Sequence, residues 1–176
     1  MSDTLKLTRS ETILIRRSEP KVLEVEAIYG PGGRPPPKHY HPEQDEHFHA
    51  LTDGLHVTVD GEERELKQGD TLEIPRGTTH QMWNPGETEA RVAWQTLPAG
   101  RTEQWFRAID ALYREGQVDG NGRPKPLALG AVLDEFSDVF RLAVAPQPLL
   151  RPAIAALGAA GRARGYGPTR PEPREP

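Results

Sequence analysis

The chain has 176 residues, a net charge of -4 at pH 7 and no cysteine. At this length one domain with its own buried core is the expectation, and the lack of cysteine excludes disulfides, iron–sulfur clusters and thiolate zinc sites. A negative chain has no electrostatic attraction for nucleic acid, and no segment reaches the ~20 apolar residues of a membrane span.

The N-terminal stretch MSDTLKLTRSETILIRR lacks the apolar run of a signal peptide, so a soluble, cytoplasmic protein is expected. From residue 4 to about 97 the pattern has period two. VLEVEAIY sets Leu23, Val25 and Ala27 on one face against Glu24 and Glu26 on the other. LHVTVDGEERELKQGDTLEIPRGTTHQMWN reads as short strands broken at Asp60-Gly61, Gly69-Asp70 and Pro75-Arg76-Gly77, and TEARVAWQTL adds another. Many short strands without an intervening helix predict an antiparallel sandwich or barrel.

After Pro98 the period becomes helical. Trp105, Phe106, Ile109, Leu112 and Tyr113 share one face, with Thr102 as N-cap and Gly116 as stop. Leu129, Val132, Phe136, Val139 and Phe140 form a second apolar face, and Leu150, Ile154 and Leu157 a weaker third. The expected organisation is a β-barrel over 1–98, a helical extension over 99–167 packed on the barrel or on a second subunit, and a disordered tail over 168–176, where GPTRPEPREP is proline-rich and charged.

Residues 39–49, HYHPEQDEHFH, hold four of the six histidines. Side chains two apart on a strand share a face, so His39 and His41 point together and Tyr40 points away. Beyond the turn, Phe48 and Ala50 are apolar and mark the interior, which places Glu46 inside and turns His47 and His49 outward. The same test sends Leu55, Val57 and Val59 inward and His56 outward, and gives His80 the inward companion Met82. His39, His41, Glu46 and His80 therefore converge. Three imidazoles and a carboxylate facing into a narrow barrel suit one first-row divalent metal, with Fe, Mn, Ni, Co and Zn all compatible. Burying such a set without a metal is costly.

Two spaced motifs carry a resemblance. Gly33, five residues, His39-x-His41, four residues and Glu46 form the first; Gly69, five residues, Pro75-x-Gly77, two residues, His80, three residues and Asn84 form the second. Over about residues 20–98 the chain resembles the cupin superfamily. The resemblance implies a mainly β fold, a double-stranded β-helix or jelly-roll barrel, here with two or three C-terminal α-helices. In the first motif six residues separate Glu46 from a glycine; here that position is Asp53, with Gly54 next. A substitution is expected, with Asp53 in the left-handed conformation of the turn.

The resemblance also implies a homodimer and a small-molecule substrate. The leading function is a metal-dependent enzyme that oxidises or cleaves an enolisable or phenolic metabolite with O2, with Glu46 both ligand and proton acceptor. A metal-assisted isomerase or cyclase, or a binding protein without turnover, is the alternative. Phe48, Met82 and Trp94 are candidates to line the substrate pocket.

Overall fold

A computed structural model of the chain describes residues 3–120 and 122–166; the tail expected at 168–176 lies outside the described residues. The elements run β1 (Thr4–Lys6), β2 (Glu11–Glu19), β3 (Val22–Tyr29), β4 (His39–Tyr40), β5 (Asp45–Ala50), β6 (Leu55–Val59), β7 (Glu62–Leu66), β8 (Thr71–Ile74), β9 (His80–Trp83), β10 (Ala90–Leu97), α1 (Thr102–Arg114), α2 (Pro126–Glu135), β11 (Arg141–Leu142) and α3 (Gln147–Arg162). The strands form two antiparallel sheets, ordered β1-β2-β3-β10-β5-β8 and β11-β4-β9-β6-β7, in a double-stranded β-helix. No helix among the described residues is long and apolar enough to cross a membrane.

Strand alternation sets what faces inward. In β3, Leu23, Val25, Ala27 and Tyr29 are buried and the residues between them are not. In β5 the buried set is Glu46, Phe48 and Ala50. Leu55 and Val57 of β6 are fully buried, as the period-two pattern requires. The turn before β6 differs from the expectation. Gly54, not Asp53, takes the positive φ, +91°, so the left-handed residue sits one position later than the motif places it. Asp53 instead accepts a hydrogen bond from the Gln68 backbone N–H at 2.7 Å. The loop absorbs the offset, and β6 keeps its inward face.

The helical segment joins the barrel in one core. Val25, Phe48, Val57 and Trp94 from the strands cluster with Phe106, Ile109, Phe136 and Val139 from the extension. An Asp110 carboxylate oxygen accepts from the Lys6 N–H at 2.9 Å and ties α1 to β1. Two expected boundaries move. Arg101, not Thr102, caps α1: the Trp105 N–H already bonds the Arg101 carbonyl, so Thr102 lies inside the first turn. The second helix stops at Glu135, before Phe136, Val139 and Phe140. There the Arg101 guanidinium takes the Glu135 carbonyl at 2.6 Å and pairs with the carboxylates of Glu135 and Asp138. Its hold on the last helical carbonyl turns the chain back toward the barrel. Helix α3 then packs closely on α2, where a Cβ at Gly161 would collide with the Leu127 carbonyl.

Candidate metal centre

β4 and β9 are neighbours, and His39 is directly opposite His80 in their register. His41 follows β4 on the same face as His39. The side-chain ligand atoms of His39, His41 and His80 all lie within 4.8 Å of one another. Glu46 reaches this group from β5 in the facing sheet. Its Oε1 is 3.3 Å from His41 Nε2 and its Oε2 is 3.0 Å from His80 Nε2. His41, Glu46 and His80 are buried, and His39 is partly so. The structure therefore brings together the four side chains that strand parity selects, with Glu46 against two of the three imidazoles.

Backbone carbonyls decide which nitrogen of each ring is available. His39 Nδ1 faces the Pro37 carbonyl at 3.0 Å, His41 Nδ1 the Val139 carbonyl at 2.7 Å and His80 Nδ1 the Thr78 carbonyl at 3.0 Å. A carbonyl only accepts, so each Nδ1 carries hydrogen; the tautomer follows from these partners. In a neutral imidazole the Nε2 lone pair then points into the cluster. Both Glu46 oxygens are buried, with no donor bonding them apart from what the neighbouring His41 and His80 rings can offer. Lone pairs of nitrogen and oxygen thus face one another across 3.0–3.3 Å. Such an arrangement requires a cation, either a proton or a metal ion.

The ionisation behaviour agrees. Burial opposes the Glu46 charge, but His41, His80 and His39 outweigh it and hold the carboxyl at about 2. Burial, reinforced by His80 and His41, pulls His39 down to about 3. Burial also lowers His41, against the pull of Glu46. His80 goes the other way: burial disfavours its charge, yet its hydrogen bond and charge contact with Glu46 raise its pKa. Of the three rings, His80 is therefore the one whose protonated form Glu46 favours most.

The C-terminal segment reaches this cluster too, which strand parity did not foresee. Val139 supplies the carbonyl for His41. The Phe140 ring stacks on His39, with centroids 4.6 Å apart and planes 20° apart, and Trp105 stacks on Phe140 at 4.7 Å. A backbone carbonyl leaves no mark in a sequence. The placement of Phe140 depends on where α2 stops.

The remaining candidates lie elsewhere. His47 and His49 are on the opposite face of β5 from Glu46, and His56 pairs with Glu63 at 3.1 Å on the outside of β6. Phe48 stacks on Trp94 at 5.5 Å, and Phe106 packs against Trp94 at 5.1 Å. These rings and Met82 are buried in the core. A cavity of about 530 Å³ between α2, β11 and α3 has Phe140, Arg141 and Arg151 among its walls. A smaller one of about 310 Å³ borders His80, Lys38 and Gln81. Neither is lined by Phe48, Met82 or Trp94.

Comparison with known proteins adds a family and two kinds of relative. Residues 25–96 match the family model described as Cupin domain. The chain is 35% identical over 92 residues to the "Tetracenomycin polyketide synthase protein TcmJ" of Streptomyces glaucescens, covering 52% of this chain and 54% of that one. It is 43% identical over 63 residues to "Oxidoreductase iacF" of Pestalotiopsis fici, covering 34% of this chain and 31% of the relative. The matches thus span about half the length of the first relative and under a third of the second. Among solved structures, KdgF from Halomonas sp. superposes with a TM-score of 0.50 at 22% identity, over 55% of this chain and 87% of that one. That likeness shows the fold.

Proposed function

Through residues 25–96 this chain belongs to the cupin superfamily, and on that premise we propose that it is a metal-dependent small-molecule enzyme whose ion is held by His39, His41, His80 and Glu46. One observation carries the reading: three histidines whose Nδ1 atoms face backbone carbonyls have ligand atoms within 4.8 Å of one another, and the buried Glu46 carboxylate lies 3.0–3.3 Å from the Nε2 atoms of two of them. Imidazole and carboxylate together suit Fe(II), Mn, Co, Ni and Zn, and the chain has no thiolate to select among them.

When bound, a divalent ion there supplies Lewis acidity to an enol or phenol oxygen and, if redox-active, electrons for reaction with O2. The protein residues do the rest. The three carbonyls of Pro37, Val139 and Thr78 fix the ring tautomers. Glu46 supplies negative charge against the ion; with its carboxyl held at about 2 it is only a weak proton acceptor. Phe48 and Met82, two positions along the same strands from Glu46 and His80, are buried in the core with Trp94.

The substrate class we infer is an enolisable or phenolic metabolite, oxidised or cleaved with O2. Similarity to a polyketide synthase protein and to an oxidoreductase supports this, since polyketides are rich in β-dicarbonyl and phenol groups. The polyketide-synthase relative equally favours a second reading, metal-assisted cyclisation or isomerisation of the same kind of molecule. O2 uptake by Fe(II)-loaded protein, across a panel of β-dicarbonyls, catechols and naphthols, separates them. Uptake that depends on one substrate class supports oxidation. Product formation without O2 uptake supports the second reading, and no turnover with any loaded metal contradicts both.

A further inference from the structure

The barrel does not complete its own cluster. β11 pairs with the ligand strand β4, setting Arg141 opposite Tyr40 and Leu142 opposite His39. The Ala143 N–H donates to the Lys38 carbonyl at 2.7 Å, which pins the same strand one residue before His39. Just upstream, the N–H groups of Val139 and Phe140 both donate to the Phe136 carbonyl, at 2.9 and 3.0 Å, in a tight turn off the end of α2. That turn aims the Val139 carbonyl at His41 and lays the Phe140 ring between Trp105 and His39. Phe140 also meets His41 edge-on, with centroids 5.8 Å apart.

We propose that Val139 and Phe140 are positioning residues of the metal centre, contributed by the C-terminal segment and not by the barrel. The proposal rests on the metal reading above. An imidazole binds a metal well only if its proton sits on the far nitrogen and its ring is held toward the ion; partners that do this for a ligand commonly affect affinity as strongly as weak ligands do. The Val139 carbonyl does the first for His41. The stack of Trp105, Phe140 and His39 does the second for His39, the one ligand that is only partly buried. Helix α1, the turn after α2 and the ligand strand are therefore a single mechanical unit. A change in the helical segment reaches the ion through one ring and one carbonyl.

The test compares Co(II) affinity, by competition with a chromophoric chelator, in the unsubstituted protein and in Phe140→Leu, Phe140→Tyr and Ala143→Pro. Melting of each metal-free protein and ¹⁵N histidine spectra are recorded alongside. Phe140→Leu keeps apolar volume but removes the stack, and is expected to weaken Co(II) binding roughly 10–100-fold. Phe140→Tyr keeps the ring and restores affinity. Ala143→Pro removes the N–H that pins Lys38; it is expected to weaken Co(II) and to let His41 sample the other tautomer, seen as a shift of its ¹⁵N signals. A Phe140→Leu protein that melts lower yet binds Co(II) as tightly as the unsubstituted chain reduces Phe140 to packing and overturns the proposal alone. Absence of Co(II) binding in the unsubstituted protein overturns the metal reading, and the proposal with it.

Discussion

His80 Nε2 lies 3.0 Å from Glu46 Oε2 while His80 Nδ1 faces the Thr78 carbonyl at the same distance. With one nitrogen committed to a carbonyl and the other to a carboxylate, the ring is satisfied only as an imidazolium or as a metal ligand. A metal entering the cluster must therefore displace a proton. Calorimetry in buffers of different ionisation enthalpy should show proton release on metal uptake near pH 7, because the charge of Glu46 raises His80. Binding enthalpies independent of the buffer would refute this pairing.

His39 and His41 should each make the metal-free fold less tolerant of mild acidification. His39, brought down to about 3, and His41, also lowered, are favoured neutral in the fold. Their contribution is complete above the ordinary value of about 6.5 and fades as pH falls below it, because the unfolded chain then binds protons the fold does not. His80, raised in the fold, contributes in the opposite sense: fully below about 6.5, and lost as pH rises through its folded value. Glu11, which burial raises to about 7, acts in the same sense as His80, so the variant comparison carries the test: between pH 7 and pH 5 the melting temperature of His39→Gln should respond less unfavourably to acidification than that of the unsubstituted chain. The same pH dependence in both proteins would contradict the assignment.

Replacing His47, His49 or His56 with Gln should leave metal content unchanged, since none of them faces the cluster. Metal analysis of the three purified variants decides it; loss of the ion from any one would mean the strand faces are misassigned.

Asn84 closes the second motif and serves the backbone around it. Its side-chain amide donates to the carbonyls of Tyr29 and Thr88 at 2.9 and 2.7 Å, and its oxygen accepts from the Gly86 N–H at 3.0 Å. Asn84→Ala strands the carbonyl of buried Tyr29, at a cost of about 1–3 kcal/mol, whereas Gly86 and Thr88 are exposed and can turn to water. Denaturant unfolding should register that loss while Co(II) affinity of the folded fraction holds. Unchanged stability would deny Asn84 this bracing role.

The helical extension should prove inseparable from the barrel. Phe106 is 1% exposed and packs on Trp94 of β10; Phe106→Ala should cost about 3–5 kcal/mol. Removing everything after Leu97 uncovers several such contacts at once, enough to exceed the roughly 5–15 kcal/mol that holds a domain of this kind. A 1–97 fragment should be insoluble or unfolded by circular dichroism. A soluble fragment with the full-length melting temperature would make the extension dispensable.

Much of this was legible in the chain. Period-two alternation alone separates Glu46, Phe48 and Ala50 from His47 and His49, and it selects the same four side chains the fold brings together. Where reading fell short, the cause was backbone detail. The turn after Glu46 has its left-handed residue at Gly54, because a loop can absorb one residue where a paired strand cannot. Apolar spacing through Phe140 continues the helical period past Glu135, but the helix stops there, with the Glu135 carbonyl taken by the side chain of Arg101, 34 residues earlier. Everything Val139 and Phe140 do at the cluster follows from that early stop, and nothing local to their sequence announces it.

Titration of metal-free protein with Co(II), followed by its visible absorption, puts the four-residue metal centre itself to the test. Saturation at one ion per chain is expected, with binding greatly weakened in His80→Gln and Glu46→Gln, whose removed groups meet at 3.0 Å in the fold. No saturable uptake, or uptake that both variants retain unchanged, would contradict it.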